Sequence, residues 1–196
     1  MYYKIFIMMY LTTSFTNAFL FKFPPLDEQK TKLNNQAWLD STKYFNSYKD
    51  NNNGISLDSF KNLFKLFYPV HKLDNSRIET IFKDEVQNRD EFMNLEQFIK
   101  VMTKIVIITE EKVNTTYDEY HDRDGKMTKK EFEEFVKGFD YNLTDDMVTN
   151  IITENCTDAQ NISFPEFRIM SVELYYIILD KLGLRILEEE MAVLRI

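Results

Sequence analysis

The stretch Tyr120-His121-Asp122-Arg123-Asp124-Gly125-Lys126-Met127-Thr128-Lys129-Lys130-Glu131-Phe132 decides the fold. Asp122, Asp124 and Glu131 supply carboxylate oxygens, and Gly125 suits a sharp turn that needs positive φ. After Glu131, the residues Phe132, Phe135, Val136 and Phe139 fall at i, i+3, i+4 and i+7, one face of a helix. An oxygen-rich loop therefore leads directly into an amphipathic helix, with Met127 as an apolar residue inside the loop.

The same apolar spacing occurs three more times, at Phe60, Leu63, Phe64 and Phe67, at Phe98, Val101, Met102 and Ile105, and at Phe167, Met170, Ser171 and Leu174. Each leading Phe follows an apolar residue five positions upstream: Ile55, Met93, Met127 and Ile162. The leading Phe residues are 38, 34 and 35 residues apart, so the chain is an internal repeat of helix–loop–helix units.

This register resembles the calmodulin and troponin C superfamily, and the sarcoplasmic calcium-binding and calexcitin-like proteins that share its plan of four EF-hands. The likeness spans roughly residues 30 to 176 and is closest in the second half, where Thr144 reads as an N-cap with Asp145 and Asp146 in the first turn. The resemblance implies an all-α fold of two lobes of paired EF-hands, with short antiparallel strand contacts between paired loops. Position 8 of each 12-residue loop is then Ile55, Met93, Met127 or Ile162, and position 12 is Ser59, Gln97, Glu131 or Glu166. Hands one and two should pair through position 8, as should hands three and four.

Calcium needs six to eight oxygens, largely from positions 1, 3, 5 and 12. Loop three comes closest, with Asp122, Asp124 and Glu131, the carbonyl of Lys126, and Thr128 directly or through water; Tyr120 stands where an Asp is expected. A shorter register puts His121 there instead, and the first Asp is absent either way. Loop one, Lys49-Asp50-Asn51-Asn52-Asn53-Gly54, puts Lys49 at position 1 if Gly54 is position 6, lacks a position-7 residue and ends on Ser59. Loop two offers Val86, Asn88, Asp90, Glu91 and Gln97, and loop four Asn155, Thr157, Ala159, Gln160 and Glu166. The expectation is one weak calcium site in loop three, or none, and structural loops elsewhere.

The chain has 196 residues and a net charge of −8, with 32 acidic against 24 basic side chains. That balance argues against nucleic acid and suits cations or basic partner surfaces. Residues 1–18 read as a signal peptide: Lys4, the apolar run Ile5 to Leu11, then Thr16-Asn17-Ala18 as a cleavage site before Phe19. Sequons at Asn114, Asn142, Asn155 and Asn161 agree with a secreted glycoprotein. The lone Cys156 excludes an intramolecular disulfide, leaving it buried or open to intermolecular pairing.

The expected organisation is an N-terminal pair over 27–107, a C-terminal pair over 108–178 and an amphipathic tail over 179–196. Leu187, Met191 and Leu194 give that tail an apolar stripe, suited either to a lobe's groove or to ordinary core packing. No transmembrane segment is expected. With two histidines, one cysteine and no nucleophile–base, phosphate-loop or zinc spacing, an enzyme is not expected either. Two functions fit: a secreted weak calcium sensor or buffer that works through a protein or peptide partner, and a calcium-independent secreted interaction protein or effector on the same scaffold. Extracellular calcium modules work at about 10⁻⁴–10⁻³ M, a range in which an imperfect loop can fill.

Overall fold

The computed structural model describes residue 21 and residues 23–50, 54–66, 73–86, 92–121, 125–139, 141 and 143–193. Seven helices and one two-stranded antiparallel sheet are formed among them: α1 Asn35–Tyr48, β1 Ile55–Ser56, α2 Leu57–Leu66, α3 Asn75–Glu85, β2 Phe92–Met93, α4 Leu95–Tyr120, α5 Lys129–Lys137, α6 Asp145–Asn155 and α7 Phe164–Val193. The protein is mostly helical. The chain divides into two compact units between Thr109 and Glu110, inside α4. The signal-peptide region, Phe67 and Asn142 lie outside the described residues.

In the first unit, β1 and β2 pair antiparallel with Ile55 opposite Met93, and both side chains are fully buried. The sheet carries the start of each following helix, whose apolar stripe then turns inward. Phe60, Leu63 and Phe64 of α2 and Phe98, Val101, Met102 and Ile105 of α4 make the core. Phe60 packs on Phe64 at 4.4 Å and on Phe82 of α3 at 5.3 Å between ring centroids. Helix starts are capped as their sequences dictate: Asn34 accepts from Ala37 N–H on α1, and Asp74 from Arg77 N–H on α3.

Phe21, ahead of the expected start at 27, is buried in a small cluster of its own with Ala37 and Val106, with Leu26 and Leu33 packed beside it. A tight turn holds the segment. The Asp27 carboxylate accepts from Thr31 N–H and Lys32 N–H, and Asn34 ties back to Pro24 and Pro25.

The second unit is built around an antiparallel bridge between Met127 and Ile162, with both backbone bonds made at 3.1 and 2.8 Å. Phe132 and Phe135 of α5, Ile151 and Ile152 of α6, and Phe167, Met170, Leu174 and Ile178 of α7 close over it. Thr144 caps α6 through Met147 N–H. Arg168, buried on α7, takes Glu110 of α4 in a two-point ion pair at 2.9 and 2.6 Å. α7 continues unbroken past residue 178 to Val193, so the expected tail prolongs that helix. No described helix is long and apolar enough to cross a membrane.

Candidate metal centre

Loop three is held between the last turn of α4 and the first turn of α5. Thr128 caps α5 in a reciprocal box: Glu131 N–H donates to Thr128 Oγ1, and Thr128 N–H donates to Glu131 Oε2 at 2.6 Å. The Thr128 hydroxyl also reaches Glu131 Oε2, at 2.9 Å. The carboxylate is thereby folded back over the loop. Gly125 takes φ +78°, and a Cβ there would meet open space, so the backbone conformation alone demands glycine. Asp122 and Asp124 lie outside the described residues; Lys126, Thr128 and Glu131 are described.

Tyr120 ends α4 half-buried, with its ring edge-on to Phe135 at 5.7 Å. The His121 ring packs at a tilt on Tyr117, with centroids 5.0 Å apart, and its Nε2 is 3.5 Å from Asp118. The donors expected from the register are the Lys126 carbonyl, Thr128 and the carboxylates of Asp122, Asp124 and Glu131. All are hard oxygens, which fit calcium and do not fit a soft metal. Among the described residues no group of three or more His, Cys, Asp or Glu side chains is placed to hold a metal.

Loop four closes on its own carboxylate. Glu166 Oε1 accepts from the N–H and hydroxyl of Thr157, both at 3.1 Å, and Oε2 from the N–H and hydroxyl of Ser163, at 2.8 and 2.6 Å. Partial burial would raise its pKa, but these four bonds outweigh burial and hold the group down at about 2. Asn155, at the first position, is turned away: its amide donates to Ile151 O and to Glu173 Oε2 at 2.6 Å. That nitrogen is the one a glycan would take. Asp158 accepts from Gln160 N–H and from the Asn161 amide, which lower its pKa.

Loop one makes the same closure from the opposite end. Counted back from Ser59, Asp50 is the third residue of the loop. Its Oδ2 accepts from Ser56 N–H at 2.7 Å and its Oδ1 from the Ser59 hydroxyl at 2.8 Å, and the bonds from Ser56 lead the lowering of its pKa. Positions 3, 9 and 12 are thus joined in both loops, by a carboxylate from position 12 in loop four and from position 3 in loop one. Loop two uses an amide: Gln97 Oε1 accepts from Asn94 N–H, Gln97 N–H donates to Asn94 Oδ1, and its Nε2 reaches Glu85 O. Val86, expected at position 1, is a buried C-cap of α3; Asn88, Asp90 and Glu91 lie outside the described residues.

Gly54 serves a different need from the turn expected of it. At φ +111° it lies so close to β2 that an added Cβ would collide with the Met93 carbonyl. Cys156 is half-buried with Sγ 3.3 Å from Met170 Sδ, and burial followed by the Glu166 charge pushes its thiol up to about 11. It is therefore a poor thiolate. An open cleft of about 490 Å³ between α5 and α6 is lined by Lys129, Glu133, Val136, Phe139, Leu143 and Val148 among others.

Sequence reading missed Asp50 as a loop-closing acid, Asp158, and Tyr117. The buried Tyr117 hydroxyl lies 2.8 Å from Ile162 O and 3.1 Å from Gly125 O. The first was legible in the count back from Ser59; the others carried no pattern.

No family model matches the chain, and no curated protein matches it.

Proposed function

We propose that this chain is a secreted, non-enzymatic EF-hand-type protein that binds calcium weakly through loop three and acts on a protein or peptide partner as an extracellular sensor or buffer. The observation that carries the reading is the pairing of Ile55 with Met93 and of Met127 with Ile162. These are the position-8 residues of four loops in the register that makes Asp122, Asp124 and Glu131 the acids of loop three. In this reading the two units are lobes of paired hands.

Asp122, Asp124, Glu131, the Lys126 carbonyl and Thr128 would hold the ion. A bound calcium ion would supply a +2 charge that offsets most of the charge of these three carboxylates. Glu131 would exchange its bonds to Thr128 for the ion, which together with the missing acid at Tyr120 keeps affinity low. The cleft between α5 and α6, lined by the charged Lys129, Glu133 and Lys137 as well as by Val136, Phe139 and Val148, is a candidate seat for the partner. Mature material is expected to start at Phe19; purified secreted protein that still begins at Met1 would contradict processing.

The second reading, a calcium-independent interaction scaffold, draws on loops one and four, which are already closed by Asp50 and Glu166. Isothermal titration separates the two. The calcium reading expects binding near millimolar, lost in an Asp124→Ala/Glu131→Gln double variant. No heat and no change in melting temperature with millimolar calcium would leave the scaffold alone.

A further inference from the structure

We infer that loop four is a permanently closed template for loop three, and that Tyr117 and Glu166 are positioning residues for loop three although neither belongs to its ligand set. The inference rests on the calcium reading for its functional part and on geometry for the rest.

Glu166 pins both ends of the segment from Thr157 to Ser163. That segment presents three backbone groups to loop three. Ala159 O accepts from Lys129 N–H at 2.7 Å, Ile162 O accepts from Met127 N–H, and Ile162 N–H donates to Met127 O. The Tyr117 hydroxyl adds a fourth tie, lying within hydrogen-bond distance of both Ile162 O and Gly125 O. Residues 125, 127 and 129 of loop three are therefore each fastened to loop four or to Tyr117.

The alternation matters. In an extended strand a residue whose N–H and C=O both face its partner leaves its neighbours' groups facing away. Met127 turns both groups to Ile162, so the carbonyl of Lys126 is directed off the shared edge, to the side where loop three gathers its oxygens. Fastening alternate residues thus aims the ones between them. A hand whose partner loop needs its own ion would lose this aim when calcium falls. Here a carboxylate of the chain replaces that ion, so loop three keeps its aim at any calcium concentration.

Tyr117 is locked for the task. Its ring packs at 5.5 Å on Phe164 and 5.3 Å on Phe167, at the start of α7, so Tyr117→Phe removes the hydroxyl and keeps the packing. One hydrogen bond contributes about 0.5–1.5 kcal/mol, equivalent to about three- to tenfold in an equilibrium.

The experiment compares full-length wild type, Tyr117→Phe, Glu166→Gln and a stability control, Ile178→Val, in the fully buried core of α7. Amide hydrogen exchange is read in chelator, and calcium affinity by titration with calcium chloride. The inference expects exchange at Met127 and Ile162 to quicken about three- to tenfold in Tyr117→Phe and at least as much in Glu166→Gln, with calcium affinity weakened by a similar factor. Ile178→Val should lower the melting temperature and move neither. Unchanged exchange in Tyr117→Phe, or faster exchange with unchanged affinity, overturns the inference. If wild type binds no calcium the functional reading falls, and the exchange comparison alone decides whether the hydroxyl fastens the loops.

Discussion

Loop four and loop one reach one closed geometry with the acid placed at opposite ends. In loop four Glu166, at position 12, gathers Thr157 and Ser163; in loop one Asp50, at position 3, gathers Ser56 and Ser59. A single carboxylate has two oxygens and can satisfy both other corners wherever it sits. The difference teaches that losing the terminal Glu of a loop does not open it, provided an acid survives across the loop and hydroxyls stand opposite. Loop three carries three acids, Asp122, Asp124 and Glu131, interleaved with Arg123, Lys126, Lys129 and Lys130, so the cation proposed for it depends on where the carboxylates sit and not on net charge.

The sharpest way to break the comparison is through the two loop glycines. Gly54→Ala forces a side chain into the Met93 carbonyl at φ +111° and should cost about 3–4 kcal/mol, from backbone strain and overpacking together. Gly125→Ala meets no atom and should cost only about 1 kcal/mol, the left-handed penalty alone. Chemical denaturation of both variants checks the ranking, and equal losses would show that Gly54 is not held by its neighbour strand.

Removing the acids comes next. Glu166→Ala strands four donors and should cost about 2–3 kcal/mol, against about 1–2 kcal/mol for Asp50→Ala, which strands fewer, on Ser56 and Ser59. The stranded groups are partly solvated, which keeps both losses below a fully buried value. A smaller effect follows from pH. The folded pKa of Glu166, about 2, lies below its ordinary 4.5, so its contribution is complete above 4.5 and drains away as pH falls toward 2. Over that window the melting temperature of Glu166→Gln should fall less than that of wild type; parallel slopes would mean the carboxylate is not held by these bonds.

Much of the fold was legible because periodicity repeats. Four stripes and four apolar loop residues located the helices, and the register that paired Ile55 with Met93 and Met127 with Ile162 followed from counting. The cap at Thr144 was legible too, since capping depends on adjacent residues. Phe21 was not, because one aromatic ahead of Pro24 and Pro25 has no period to betray it. The loop closures were hidden for a different reason. They depend on which way carboxylates rotate, and anchoring loop one on Gly54 as position 6 hid that Asp50 is the third residue of a loop that ends at Ser59. Tyr117 was silent because it is one aromatic on a long helix, and only the backbone partners of its hydroxyl distinguish it. Of the five residues proposed for the site, Lys126, Thr128 and Glu131 have described positions.

The central claim is that one loop of four takes the ion. Amide chemical shifts followed through a calcium titration to millimolar concentration test it most directly. The account predicts saturable shifts at Gly125 and Lys126 with a stoichiometry of one, and none at Ser56 of loop one. Thr157, held by Glu166, should stay still as well. Saturable shifts at Ser56 or Thr157, or none at Gly125, would contradict it.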